Sequence, residues 1–229
     1  MNKKLRPADY WDQLEEFGLE LEEFPDVEIR DYRRGEFLCQ QGCQMDYLLF
    51  VVEGRVKVCS ISPADKTLLF CYNGPGTVVG EVELMTHGTA SSTLCAAAPV
   101  RCLAIPLNKY REKLRSNIVF MNRIALMMAR IVTRNSINDS FNILAPLDTR
   151  LRAYIALNQE EDGMFTARLT ETAEYLGISY RHLLRTMNEL CTRGDLKKEK
   201  RGYRIQNHEA FQAALEDGDW SAQNDPFLK

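Results

Sequence analysis

Apolar residues change their spacing along the chain. From about residue 25 to 106 they fall in short runs separated by glycines at 35, 42, 54, 74, 76, 80 and 88. The stretch YLLFVVEGRVKVCSIS predicts two strands turning at Glu53-Gly54, and TLLFCY and RCLAIP predict further strands rich in β-branched, aromatic and apolar residues. Many short strands with glycine turns predict a barrel or roll. After residue 107 the period becomes helical: Phe120, Ile124, Met127 and Ile131 step by 4, 3 and 4. A helix over 117–144 would be ~40 Å long at 1.5 Å per residue. Met121, Leu126 and Met128 broaden its apolar stripe. A stripe that wide needs two surfaces to bury it, the roll and a second copy of the chain. The expected dimer contacts are Phe120, Ile124, Met127, Met128 and Ile131.

Ala145-Pro146 ends that helix, because the residue before a proline is pushed out of the α region. Three shorter helical patterns follow: LDTRLRAYIALNQ, LTETAEYLGIS and YRHLLRTMNELCTRG. Thr170 is the expected N-cap of the second, with Glu171 in its first turn. Gly177 supplies a left-handed turn residue and Ser179 caps the third. Short helix, glycine turn, second helix is a helix-turn-helix spacing. On the second of the pair, Leu183, Met187 and Leu190 mark the inward face. Arg181, Arg185 and Asn188 then point to solvent, and these side-chain types read guanine and adenine edges in a major groove. Tyr180 stands at the helix start, within reach of a phosphate or a thymine methyl. The next run, LKKEKRGYRI, predicts a two-stranded hairpin turning near Arg201-Gly202, a wing that carries Lys197, Lys198, Lys200 and Arg201 to phosphates.

Charge sharpens this division. The 229 residues carry a net charge of -3, yet residues 9–31 hold ten acids and 193–204 hold six bases against two acids. A local basic site on an otherwise acidic surface suits selective rather than indiscriminate binding of nucleic acid. No apolar run reaches membrane-spanning length and no apolar signal core follows the first lysines, so a cytoplasmic protein is expected. The seven cysteines (39, 43, 59, 71, 95, 102, 191) are then expected as reduced, mostly buried thiols. Trp11, Leu14, Phe17 and Leu21 give the acidic N-terminal segment an apolar side that would cap the roll or touch a partner. Residues 216–229 read as a loose tail.

In its order of segments, and in YRRGEFLCQQGCQMDYLLFVVEGRVKV…GPGTVVGEVELM, the chain resembles the CRP/FNR family of bacterial transcription regulators. AEYLGISYRHLL is similar to the YeiL branch of that family. The resemblance spans roughly residues 25–208. It implies an α+β fold: an N-terminal segment (1–24), a cyclic-nucleotide-binding-like β-roll or double-stranded β-helix (25–107), a dimerisation helix (108–144), a winged helix-turn-helix (145–210) and a tail (211–229). It also implies a homodimer on a near-palindromic operator in double-stranded DNA, with RNA polymerase as partner if the protein activates. In cyclic-nucleotide-binding relatives a Gly-Glu pair holds the ribose, and an Arg-Ser pair some ten residues on holds the phosphate. Gly80 and Glu81 match the first pair. Ser91 stands at the arginine position, followed by Ser92, and no arginine lies between Glu81 and Arg101. Gly80, Glu81, Ser91, Ser92 and Asn135 are the candidate effector residues, and cyclic AMP is not the expected effector. Glu81 alternatively caps backbone amides at a tight turn.

Iron-sulfur sensing is the family's other scheme. Cys39, Cys43, Cys71 and Cys95 are the candidate metal or redox ligands, but their spacing does not match that cluster, and no metal is expected. Two rival classes remain at this level. A cupin-type metalloenzyme would need several converging ligands, against three histidines here, two of them C-terminal. A small-molecule regulatory subunit that docks on protein leaves the outward arginines unexplained. No catalytic grouping is visible, and an enzyme is not expected.

Overall fold

The computed structural model describes residues 6–62 and 67–216, without the side chains of 137–139. The chain forms two compact units that divide within a long helix, between Ile131 and Val132.

The first unit is a roll of two antiparallel sheets. Its strands are β1 (Glu28–Tyr32), β2 (Phe37–Cys39), β3 (Tyr47–Glu53), β4 (Val56–Ile61), β5 (Thr67–Asn73), β6 (Val78–Val79), β7 (Thr93–Ala96) and β8 (Val100–Pro106). One sheet has the order β1-β8-β3-β6 and the other β2-β7-β4-β5. The central pair explains why YLLFVV lacks polar alternation. Leu48, Phe50 and Val52 of β3 and Leu103 and Ile105 of β8 face one core. Leu49 and Val51, with the small Cys102 and Ala104, face the roll interior. Successive strand residues point to opposite faces, so a strand buried on both faces is apolar throughout.

The outer core is closed by the N-terminal segment and two helices, α2 (Leu107–Ser116) and α3 (Ile118–Leu144); the short α1 (Glu81–Thr86) lies between β6 and β7. Trp11, Leu14 and Phe17 are buried in 3₁₀ turns against Phe50 and Phe120, so this segment caps the roll. The Phe17 and Phe50 rings meet edge to face, centroids 5.2 Å apart.

The helical region over 108–144 is therefore two helices, not one. Asn117 takes an extended backbone, φ -79 and ψ 107. Its side-chain oxygen accepts from the Phe120 amide at 3.0 Å, and its Nδ2 donates to the Gly18 carbonyl at 2.8 Å. An asparagine that caps a new helix stops the preceding one, while the apolar period runs on across the break.

The expected dimer set is also corrected. Phe120 and Ile124 are 0% and 2% exposed inside their own roll core, with Met127 and Met128 packed against it. Phe120 and Ile124, sealed within one chain, cannot serve a second, while Met127 and Met128 remain partly open. The outward large apolar positions of α3 among the described residues are Ile118, Val119, Leu126, Val132, Ile143 and Leu144. Ile131, half-buried, belongs to neither extreme.

The second unit holds α4 (Leu147–Leu157), β9 (Met164–Phe165), α5 (Leu169–Leu176), α6 (Tyr180–Thr192), β10 (Leu196–Lys198), β11 (Tyr203–Ile205) and α7 (His208–Glu216). Its sheet has the order β10-β11-β9. The tail expected from residue 211 begins later. Phe211 and Ala214 of α7 are buried, and the end of α3 joins them through Phe141, which clusters with Ala153 and Ala214. Residues 217–229 lie outside the described residues.

Phe120→Ala should lower stability by about 3–5 kcal/mol through the cavity left between α3 and β3. Urea unfolding followed by far-UV circular dichroism measures this, and a loss below about 1 kcal/mol would contradict the burial of Phe120 against the sheet.

Candidate nucleic-acid interface and effector pocket

The helix-turn-helix is built as its apolar pattern requires. Leu183, Met187 and Leu190 are each 0% exposed and pack with Ala173 and Leu176. Gly177 takes φ 66, and the Ile178 amide closes back on the Ala173 carbonyl at 3.0 Å. Ser179 caps α6 by accepting from the His182 amide at 3.2 Å. The start of α5 differs from expectation. Arg168 is its N-cap residue and Thr170 lies inside the first turn, because Leu169 is drawn in by the core it packs against.

Ser179, Tyr180, Arg181, Arg185 and Asn188 are all exposed, so α6 carries them on its solvent side. Arg185 has one loose contact, 3.8 Å to Glu189, with both side chains mostly in solvent. Such a pair contributes at most about 0.5 kcal/mol and leaves the guanidinium free to exchange partners. The wing turns over Glu199–Gly202, where the Glu199 amide donates to the Gly202 carbonyl at 2.8 Å. Gly202 is required there, since a Cβ would lie 2.2 Å from the Phe165 carbonyl oxygen. Lys197, Lys198, Lys200 and Arg201 are exposed on this hairpin. Arg201 pairs with Glu160 at 3.0 Å, whereas Arg181 and the three lysines form no ion pair among the described residues.

A buried ionic network, missed from the sequence, holds these parts together. Arg152 of α4 binds Asp148 at 2.9 Å and Asp195, the residue before the wing, at 2.5 Å. Arg193 pairs with Asp148, and Asn207 donates to Asp195 at 2.9 Å. The Arg152 bond, aided by Asn207, holds the Asp195 carboxyl below its usual 3.8. The stability it adds is thus present above that value and lost as pH falls through the lowered one. The i,i+4 spacing of Asp148 and Arg152 was the available signal. Arg168, exposed at the start of α5 and 3.9 Å from Glu171, is a further cation of this unit that the sequence reading passed over.

In the roll, Gly80 begins α1 at φ 94, and a Cβ there would lie 2.8 Å from the Tyr47 carbonyl oxygen. Glu81 is the first residue of α1, and the backbone amides of Gly80 and Glu81 at this helix start pull its pKa down. Burial nevertheless pushes its pKa up to about 7, and nearby Glu83 adds to the rise. Glu83 was not singled out from sequence. It is buried, and its Oε1 accepts from the Ser91 amide at 3.0 Å and the Ser91 hydroxyl at 3.3 Å. Ser92 follows half-buried. Asn135 lies on α3, exposed, and accepts from Arg134 at 3.4 Å.

The candidate metal cysteines do not converge. No group of three histidine, cysteine or acidic side chains among the described residues is placed to hold a metal ion. Cys39 is buried and Cys43 exposed, on either side of one turn; Cys71 and Cys95 sit on separate strands. Burial raises the thiol pKa of Cys39, Cys95 and Cys191 and pushes Cys102 up to about 12, which opposes the thiolate a soft metal needs.

A roll of two four-stranded sheets, a long helix and a winged helix-turn-helix define a regulator-type architecture. Comparison with known proteins agrees. Residues 29–117 match the family described as cyclic nucleotide-binding domain. Over 182 residues, 80% of this chain and 83% of the relative, the sequence is 30% identical to the regulatory protein YeiL of Escherichia coli O157:H7. It is 23% identical over 192 residues to a CRP-like cAMP-activated global transcriptional regulator of Mycobacterium tuberculosis, covering 78% and 84% of the two chains. The fold matches the c-di-GMP responsive global regulator CLP of Xanthomonas campestris, with TM-score 0.71, 17% identity and 85% and 98% coverage. It also matches a CRP/FNR-family transcriptional regulator from Thermus thermophilus, with TM-score 0.66, 18% identity and 83% and 100% coverage. The chain belongs to the CRP/FNR family of transcriptional regulators. The relatives named are regulators rather than enzymes. No helix among the described residues is long and apolar enough to cross a membrane.

With its pKa raised, protonated Glu81 favours the folded state, so stability should fall as pH rises from the ordinary 4.5 to about 7. Glu81→Gln should flatten that slope, raising Tm above the parent at pH 8 and leaving it close to the parent at pH 4.5. Equal differences at both pH values in calorimetry would count against a buried carboxyl.

Proposed function

We propose that this protein is a homodimeric, sequence-specific DNA-binding regulator that reads a near-palindromic operator through α6. One observation carries the reading: a single helix seals Leu183, Met187 and Leu190 inside while Arg181, Arg185 and Asn188 stand in solvent beside a basic hairpin. Arginine matches the two acceptors of guanine, and asparagine the donor and acceptor of adenine. Ser179 and Tyr180 lie at the N-terminal end of α6, where backbone amides and the helix dipole favour phosphate. Lys197, Lys198, Lys200 and Arg201 supply sequence-independent phosphate contacts from the wing.

The second copy meets the outward side of α3, on Ile118, Leu126 and Val132, with exposed Ala125 allowing close approach. A twofold pair would set two α6 helices on half-sites ~34 Å apart, one turn of DNA. The signal enters through the roll, as the names of the cAMP-activated and c-di-GMP responsive relatives suggest for theirs. Its effect would bias a two-state change carried along α3, which runs unbroken from Ile118 to Leu144. Cyclic AMP is not the effector, and an iron-sulfur cluster is not favoured over a small molecule. The protein acts in the cytoplasm, and RNA polymerase is the further partner if it activates transcription.

Gel shift at stated salt tests this. Arg185→Ala should cost ~1–3 kcal/mol on the selected operator and relax its sequence preference. Lys198→Ala should weaken all duplexes alike and lower the salt slope by about one. An unchanged preference in the Arg185 variant would remove that residue from base reading.

Leu126→Glu should convert the dimer to single chains in sedimentation and abolish operator binding at the same concentration. A dimer that persists in this variant places the subunit contact elsewhere.

A further inference from the structure

A cyclic nucleotide brings a phosphate anion, and the roll offers it a poor reception. Donors are needed at the anion's seat, and a charged donor is worth about twice a neutral one. Ser91, which stands where the resemblance places the phosphate-binding arginine, has both its amide and its hydroxyl turned onto the Glu83 carboxylate. Glu83 is 7% exposed and Ser91 exposed, so the carboxylate is held from the inner side and meets Ser91 through two donors. Glu81 lies near enough to feel the Glu83 charge. Arg111 of α2 is already committed: it donates to the Glu83 and Leu84 carbonyls at 2.6 and 2.7 Å, satisfying carbonyls at the end of α1. An incoming phosphate would therefore meet the Glu83 carboxylate in place of an arginine, and these residues do not fit a cyclic nucleotide.

We propose that Glu83 is the specificity-determining residue of this pocket, an internal anion that takes the donors of Ser91 and thereby excludes phosphate-bearing effectors. The inference deepens the reading above that the roll does not answer to cyclic AMP, and rests on it. The carboxylate does two things at once. It closes the loop between α1 and β7 without a ligand, by bonding the Ser91 amide. It also places fixed negative charge where a ligand's own charge would fall, and like charges in a partly buried site repel strongly. Restoring an arginine alone would not restore binding, because the new guanidinium would pair with Glu83 instead.

The test is titration calorimetry of the full chain with cyclic AMP, and separately with inorganic phosphate, on four proteins: parent, Ser91→Arg, Glu83→Gln and the double variant. The parent and Ser91→Arg should bind cyclic AMP negligibly. Glu83→Gln keeps the size of the side chain and an acceptor for Ser91 but removes the charge, and alone should give at most weak binding. The double variant should bind at least about tenfold more tightly than Ser91→Arg. If Ser91→Arg binds as tightly as the double variant, Glu83 does not exclude the anion and the proposal fails, while the reading of the parent stands. If the parent itself binds cyclic AMP, that reading fails as well. Should the Glu83 variants not fold, Ser91→Arg alone decides: tight binding there overturns the role of Glu83, and its absence supports it.

Discussion

The β3–β8 pair has no solvent face. Leu48, Phe50, Val52, Leu103 and Ile105 must be covered on one side, and Leu49, Val51, Cys102 and Ala104 on the other. The second sheet of the roll covers the inner set, and small residues there let the two sheets close. The outer set is covered by pieces from both sides of it in sequence: the N-terminal segment through Trp11, Leu14 and Phe17, and the two helices through Leu107, Leu114, Phe120 and Ile124. At roughly 25 cal/mol per Å² of apolar area removed from water, this double burial is the dominant stabilising term of the unit. It also fixes the rotation of α3 about its axis. Once Phe120 and Ile124 are committed inward, Ile118 and Leu126 are left outward.

The reading head solves a different problem, keeping positive charge at one place in a chain whose net charge is -3. Cations that build the unit are matched internally: Arg152 with Asp148 and Asp195, Arg193 with Asp148, Arg204 with Glu199. A buried pair of this kind is weak evidence for net stability, but losing one member leaves a costly uncompensated charge. Arg181, Lys197, Lys198 and Lys200 are left outside that internal matching. On the proposed reading, their hydration and counterions are the reserve that phosphates would release.

Much of this was legible from residue spacing, and the failures have distinct causes. The strand runs, α3 from residue 118 to 144, the Gly177 turn and the Ser179 cap each had a local signal strong enough to survive packing. The 4-3-4 step through Phe120 and Ile124 identified a buried face correctly but could not say what buries it. The break at Asn117 was hidden because the apolar period continues through it, although its side chain caps Phe120 locally and bonds Gly18 across the fold. Glu83 looked like one more acid on a short helix; its importance appears only when the fold brings Ser91 beside it. Asp195 was counted with the wing's charges, although it is buried at 7% exposure. The last helix, HEAFQAALE, hid because alanine is a faint marker of a core, and Phe211 alone does not make a period.

Asn117 joins three parts of the roll unit with one side chain: the end of α2, the first turn of α3 and the carbonyl of Gly18. Gly18 itself admits no larger residue, since a Cβ would fall 2.5 Å from a Val119 methyl carbon. The amino-terminal segment is thus a wedge that sets the pitch at which the long helix leaves the sheet. A change to the Gly18 backbone would therefore act on both ends of the break at Asn117, where α2 stops and α3 starts.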